Sequence, residues 1–381
     1  MITYAAKEEG GKVVAIIDNN MRFILDGEKT PAELVAFLKE GALFRQFDQV
    51  LRQIYPKEDL SKRLINGMAE IYNEAPPNTA RKVQNWLKGR NVPQNRETLF
   101  QICFILGLDE RNASKLLGTA SETGIHYRNF DELVYAFGLR TGLNYQEALA
   151  LKEKMKSKYS LQQLQEQKTK QKSIYYTRQV KEAFAQVTQE SELEEFICAH
   201  GAELGQIHET AYYKFVELMD LLQKPEGLSG EEERKYSVEE VMETYMRMHV
   251  PDTKRTKDYT LLQRVIKKYW PNSSSLQNMR KHKEDVSRKV MILLYLVTEA
   301  FDSDEDSFYF GDDEEEDADT ILEMRLERMN LFLDRYGMNG LDAGNPFDFL
   351  VLYAMRTQEG EGVSERMAAV LESLFDCKKV E

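Results

Sequence analysis

Pro77-Asn78-Thr79, Val83-Gln84-Asn85, Lys88, Val92, Arg96, Leu99 and Ile102 are matched, in order, by Pro271-Asn272-Ser273, Leu276-Gln277-Asn278, Lys281, Val286, Arg288, Met291 and Leu294. A second block follows each of these. Asn129-Phe130-Asp131, Leu133-Val134-Tyr135-Ala136 and Arg140-Thr141 are echoed by Asn345-Pro346-Phe347-Asp348, Leu350-Val351-Leu352-Tyr353-Ala354 and Arg356-Thr357. Two separated blocks that recur in the same order point to an internal duplication. Each first block also reads as a helix boundary. The proline discourages the preceding helix from continuing, and Asn78 or Thr79 can accept hydrogen bonds from the free N–H groups of the next helix. Gly89 then supplies a left-handed residue that stops that helix after Leu87.

Around this pair the apolar spacing is helical almost throughout. Thr30-Pro31-Ala32-Glu33 carries the cap, the first-turn proline and the acidic residue three positions after the cap that begin a helix. Residues 12–25 form the exception. Val13-Val14-Ala15-Ile16-Ile17, Asp18-Asn19-Asn20 and Met21-Arg22-Phe23-Ile24-Leu25 read as a small β-hairpin around an Asx-rich turn. Lys152 to Gln171 is rich in Lys and Gln and reads as an exposed helical connector. Tyr175 to Leu222 predicts a helical pair or trio, and residues 224–230 mark a loop. Met291 to Val297, the richest apolar run, is about a third of the roughly 20 residues a membrane helix needs, so it predicts a buried core helix.

With 381 residues, 42% hydrophobic and 30% charged, the chain predicts two or three packed units rather than one core or a disordered polymer. Its start lacks the charged-then-apolar layout of a signal peptide. Cys103, Cys198 and Cys377 are an odd, scattered set that fits neither a disulfide framework nor a zinc site, which suggests a reducing, cytoplasmic setting. The net charge of −13 argues against a nucleic-acid partner. Much of it, however, sits in one tract, residues 302–319, that holds no Lys or Arg. Outside that tract the balance is close to even.

Asn85-Trp86-Leu87-Lys88-Gly89-Arg90-Asn91-Val92-Pro93, backed by Leu99, Ile102, Leu106 and Leu108, resembles the later part of Xre/Cro-C1-like helix-turn-helix domains. The likeness covers residues 60–118 and, more faintly, 260–297. Leu60-Ser61-Lys62-Arg63-Leu64-Ile65-Asn66 departs from the family's supporting-helix pattern, and in the second copy Met279 and His282 replace the Trp and Gly. The resemblance implies a supporting helix from Leu60 to Ala75 and a recognition helix from Thr79 to Leu87, which in that family lies in the DNA major groove. The expected fold is mainly α: two related modules with helix-turn-helix-like units joined by a helical middle region, plus the N-terminal hairpin. Its boundaries fall at 1–30, 31–150, 151–235 and 236–381, with the acidic insertion at 302–319.

Charge bears on DNA independently. Arg81, Lys82, Lys88, Arg90 and Arg96 lie in a stretch without acids, as do Arg264, Lys267, Lys268, Arg280, Lys281 and Lys283. Arg81, Lys82, Lys88, Arg90, Arg280 and Lys281 are therefore candidate phosphate contacts, and Gln84, Asn85, Gln277 and Asn278 candidate probes of base edges. The expected function is a non-enzymatic DNA-binding transcription regulator whose two modules form a pseudo-dimer on double-stranded DNA. The alternative is a protein-binding scaffold of a bacterial signalling or defence system that uses the same fold. No cofactor, metal, small-molecule substrate or membrane partner is indicated. Asp302, Asp304, Asp306 and Asp313 mimic a calcium loop but lack its central Gly and final Glu, and favour a plain acidic loop. His200 and His208 with Cys198 lack the spacing of a metal set. Trp86 and Trp270 read as core anchors. Phosphate-binding glycine loops and nucleophile motifs do not occur.

Overall fold

The computed structural model describes residues 19–93, 95–121, 123–159, 177–204, 209–224, 236–251, 259–299, 317–357 and 361–375. The fold is mainly helical, with no strand among the described residues. Two compact units emerge. The early unit holds Arg45–Thr210 and Asp334–Asn339; the late unit holds Met1–Phe44, Ala211–Leu333 and Gly340–Glu381. By packing, residues 31–44 join the late unit, and the middle region, residues 151–235, is divided between the two.

The early unit contains α3 (Phe47–Ile54), α4 (Leu60–Tyr72), α5 (Pro76–Leu87), α6 (Arg96–Leu106), α7 (Glu110–Ser121), α8 (Phe130–Thr141), α9 (Tyr145–Lys158), α10 (Thr177–Phe184) and α11 (Glu190–His200). Residues 19–25 form α1 of the late unit. That unit continues with α2 (Pro31–Glu40), α12 (Glu209–Gln223), α13 (Val238–Val241, running into a π-helical turn at Met242–Met246) and α14 (Leu261–Tyr269). It is completed by α15 (Ser273–Arg280), α16 (Arg288–Val297), α17 (Ala318–Arg335), α18 (Pro346–Met355) and α19 (Val363–Phe375).

The second strand of the expected hairpin, residues 21–25, is instead part of α1. Asn20 and Ile24, one helical turn apart, are both buried, and Asn20 Nδ2 donates to the carbonyls of Leu43 and Ala343, each at 2.7 Å. Five residues are too few for the local pattern to distinguish a period of 2 from one of 3.6, and this inward-facing i, i+4 pair decides for the helix. The first strand, Val13 to Ile17, lies outside the described residues, as do residues 302–316 of the acidic tract. Thr30 forms the expected capping box with Glu33 at the start of α2. Trp86 and Trp270 are buried, and the Trp270 indole donates to the Met246 carbonyl at 2.8 Å. Every residue from Val290 to Leu296 is buried in α16.

The two repeated blocks carry parallel sets of hydrogen bonds. In the early unit Arg96 makes a fork with Glu132 (2.6 and 2.7 Å) and donates to the Gly124 carbonyl, while the His126 N–H donates to the same carboxylate. In the late unit Arg288 makes a fork with Asp348 (2.8 Å twice) and donates to the Gly340 carbonyl, and the Asp342 N–H completes the set. Asn129 and Asn345 cap the helices that carry these carboxylates. Glu132 thus corresponds to Asp348. The second block is in register without the one-residue gap that side-chain similarity suggested. A forked, charge-assisted pair fixes relative orientation as well as distance, so it pins α6 to α8 and α16 to α18 in the same way.

Candidate nucleic-acid interface

The two short helices after Pro77 and Pro271 end alike. At the end of α5 the N–H groups of Lys88, Gly89 and Arg90 donate to the carbonyls of Gln84, Trp86 and Asn85. At the end of α15 those of Lys281, His282 and Lys283 donate to Gln277, Met279 and Asn278. Gly89 (φ 64°) and His282 (φ 58°) take the left-handed position of this Schellman stop. A flanking helix covers the last carbonyl in each case: Arg52 of α3 donates to Leu87 O, and Tyr212 of α12 to Arg280 O.

Their starts differ. Asn272 caps α15 by accepting from the Ser275 N–H, as the sequence suggested. In the early unit the helix begins at Pro76, and neither Asn78 nor Thr79 is the cap. Two prolines can fill the first helical positions because the N–H groups they lack have no partner there. Thr79 is consequently inside α5, buried, with its hydroxyl donating to the carbonyls of Ile65 and Pro76. The helix before it, α4, ends at Tyr72 rather than Ala75, stopped by left-handed Asn73 (φ 52°).

Arg81, Lys82, Lys88 and Arg90 are all exposed, and among the described residues none forms an ion pair. Lys82 Nζ lies 5.2 Å from the Tyr72 ring and 5.4 Å from the Trp86 ring, so its stem is anchored while its charge faces water. Gln84 and Asn85 are half-buried, and Gln84 Nε2 donates to Ser61 Oγ at 3.0 Å. Arg96, counted with this basic stretch by its position in the chain, turns inward to Glu132 and adds nothing to the surface charge.

The late unit arranges the equivalent residues differently. Gln277 is hydrogen-bonded to the Glu239 carboxylate, Asn278 donates to Glu284 Oε1 at 2.7 Å, and Arg280 pairs with Asp220 Oδ1 at 3.2 Å. Lys281 and Lys283 are exposed. Three carboxylates therefore surround the end of α15, and three of its four candidate contacts already have acidic partners. Glu239 and Asp220 come from α13 and α12, far away in the sequence, and nothing in the local spacing announced them. Glu284, six residues after Asn278, was visible as the acid that closes the basic stretch.

The remaining candidates resolve simply. His200 stacks on Phe196 at 4.5 Å, His208 and Cys377 lie outside the described residues, and no group of metal-ligating side chains occurs among the described residues. Cys103 is buried and its thiol pKa is pushed up by burial, which disfavours a reactive thiolate. No helix among the described residues is long and apolar enough to cross a membrane. No family model, curated protein or solved structure matches the chain.

Proposed function

We propose that the protein is a regulatory DNA-binding protein that acts by binding rather than catalysis, and that its first copy carries the contact with duplex DNA. The observation behind this reading is the group of four exposed cations on and just beyond α5, Arg81, Lys82, Lys88 and Arg90, with no carboxylate partner among the described residues. Unpaired cations around the end of a short helix suit phosphate contacts, and Asn85 and Gln84 lie on the same helix to meet base edges. The test is a fluorescence-anisotropy titration of mixed-sequence duplex DNA at about 50 mM salt. Arg81→Glu with Lys88→Glu should abolish binding, whereas Arg280→Ala should weaken it little, because Asp220 already pairs with that guanidinium. A flat titration with the unaltered protein overturns the reading.

A second reading, a protein-binding scaffold, gains from the late unit. Glu239 and Glu284, bonded to the neutral amides of Gln277 and Asn278, keep their charge beside α15, Asp220 is paired with Arg280, and Tyr213 and Leu221 of α12 are exposed. Such a surface suits a basic protein partner better than phosphate. A pull-down from the native cell with and without nuclease separates the two, because a partner held only through DNA disappears on digestion.

A further inference from the structure

The chain divides into copies in one way and into packed units in another. Copy one opens with α1 and α2, a short helix followed by one with a capping box at Thr30 and Glu33. Copy two opens with α10 and α11, a short helix followed by one with a capping box at Gln189 and Glu192. Glu33-Leu34-Val35-Ala36-Phe37-Leu38 and Glu192-Leu193-Glu194-Glu195-Phe196-Ile197 share the acid, the two aliphatic positions and the aromatic. Leu34, Leu38, Leu193 and Ile197 are all buried. Yet α1 and α2 pack in the late unit, built mainly from copy two, and α10 and α11 pack in the early unit, built from copy one.

Each arm is held by the same device. In the early unit Arg140 of α8 pairs with Glu110 at the start of α7 (2.7 Å) and donates to the Phe184 and Val187 carbonyls (2.6 and 2.8 Å) at the turn between α10 and α11. In the late unit Arg356, one residue past α18, pairs with Asp319 in the first turn of α17 (2.9 Å) and donates to the Gly27 carbonyl (2.7 Å) between α1 and α2. Tyr353 and Arg366 add donors to the neighbouring Lys29 carbonyl at 2.6 and 3.2 Å. The carboxylate orients the guanidinium, and the guanidinium satisfies backbone carbonyls at the turn. Both latches read the arm's backbone at its turn, and Arg140 in addition lies 4.4 Å from the centroid of the Phe184 ring.

We infer that the chain is an arm-exchanged dimer fused into one polypeptide, in which the helical pair opening each copy completes the unit of the other copy and is latched there by Arg140 or Arg356. The surface beside each latch is accordingly a docking site for the other copy's amphipathic helix pair. Domain swapping of identical elements between protomers is a known low-cost route to association, and a tandem duplication makes it intramolecular.

The test is hydrogen–deuterium exchange on the full chain carrying Arg140→Met or Arg356→Met. Arg140→Met removes two charge-assisted hydrogen bonds to the arm, so it should speed exchange across residues 177–200 by about tenfold or more and leave 31–40 as in the unaltered protein. Arg356→Met should do the reverse. The milder Glu110→Gln and Asp319→Asn keep each arginine and take the charge from its anchor, with the amide oxygen of the former still able to accept from the Tyr127 hydroxyl, and should give the same crossed pattern at smaller amplitude. Loosening of the arm that belongs to the same copy, or uniform loosening of both arms by either milder variant, overturns the inference.

Discussion

Gly89 and His282 occupy the same left-handed backbone position, one stopping α5 and the other α15, with φ of 64° and 58°. A side chain there costs roughly 1 kcal/mol relative to glycine. His282 offsets part of that cost by stacking on Tyr212, ring centroids 3.9 Å apart. Gly89→Ala should lower stability by about 1–2 kcal/mol, since its new Cβ would also lie 3.0 Å from Asp48 Oδ1 and Gln46 Oε1. His282→Ala should be less stable than His282→Gly by about 1 kcal/mol, because it loses the ring yet keeps the strain. Urea unfolding of the three variants decides both points.

The two forked pairs differ in burial. Arg288 and Asp348 side chains are 5% and 2% exposed, whereas Arg96 is 24% exposed opposite Glu132 at 9%. Removing one partner of a buried pair strands a charge. Arg288→Met should therefore cost about 3–5 kcal/mol, and Asp348→Leu added to it should restore much of the loss. Arg96→Met should cost less, because water reaches its site. The comparison is read from thermal or urea midpoints of the single and double variants.

His126 should make the early unit sensitive to acid. Burial, aided by the Arg96 charge, pulls its imidazole down from the usual 6.5 to about 3. Between those values the unfolded chain binds a proton that the folded chain refuses. Its contribution to stability is complete above pH 6.5 and is lost as pH falls towards 3, with a limiting slope of about 1.4 kcal/mol per pH unit. His126→Asn should flatten the pH dependence of urea unfolding between pH 6.5 and pH 4. An unchanged slope in that variant would place the acid sensitivity elsewhere.

Salt dependence tests the proposed phosphate contact copy by copy. Removing one cation that neutralises a phosphate reduces the slope of log K against log salt by about 0.9. Lys88→Ala with Arg90→Ala should reduce it by nearly 2, and Arg280→Ala should leave it unchanged because Asp220 already neutralises that guanidinium. Anisotropy titrations at four or five salt concentrations measure both slopes.

Helix starts and stops were readable where one local rule decides them. Thr30, Pro31 and Glu33 announced α2, Gly89 announced the end of α5, and the apolar run at residues 291–297 announced a buried helix. The early start of α5 was harder, because Asn78 and Thr79 look like caps until the paired prolines before them are allowed inside the helix. The second strand of the hairpin reading failed because α1 is decided by the hydrogen bonds of Asn20 to Leu43 and Ala343, which short-range pattern cannot contain. Of the candidate interface, the exposed cations of the first copy were legible as an acid-free stretch. The carboxylates facing Gln277 and Arg280 were not, since they arrive from α13 and α12. The arm pair left a readable trace, Glu-Leu-x-x-Phe at residues 33–37 and 192–196, which is too brief to stand out before the packing gives it meaning.

The hydrogen bond from Arg356 to the Gly27 carbonyl joins positions 329 apart. On a ribosome elongating at about 5–20 residues per second, α1 and α2 emerge roughly 15–65 s before the arginine that will hold them. During that interval Leu34, Phe37 and Leu38 have no finished core to enter. Nascent chains should therefore be most prone to aggregate while the second copy is still being made, and slower translation of that copy should lengthen the exposure.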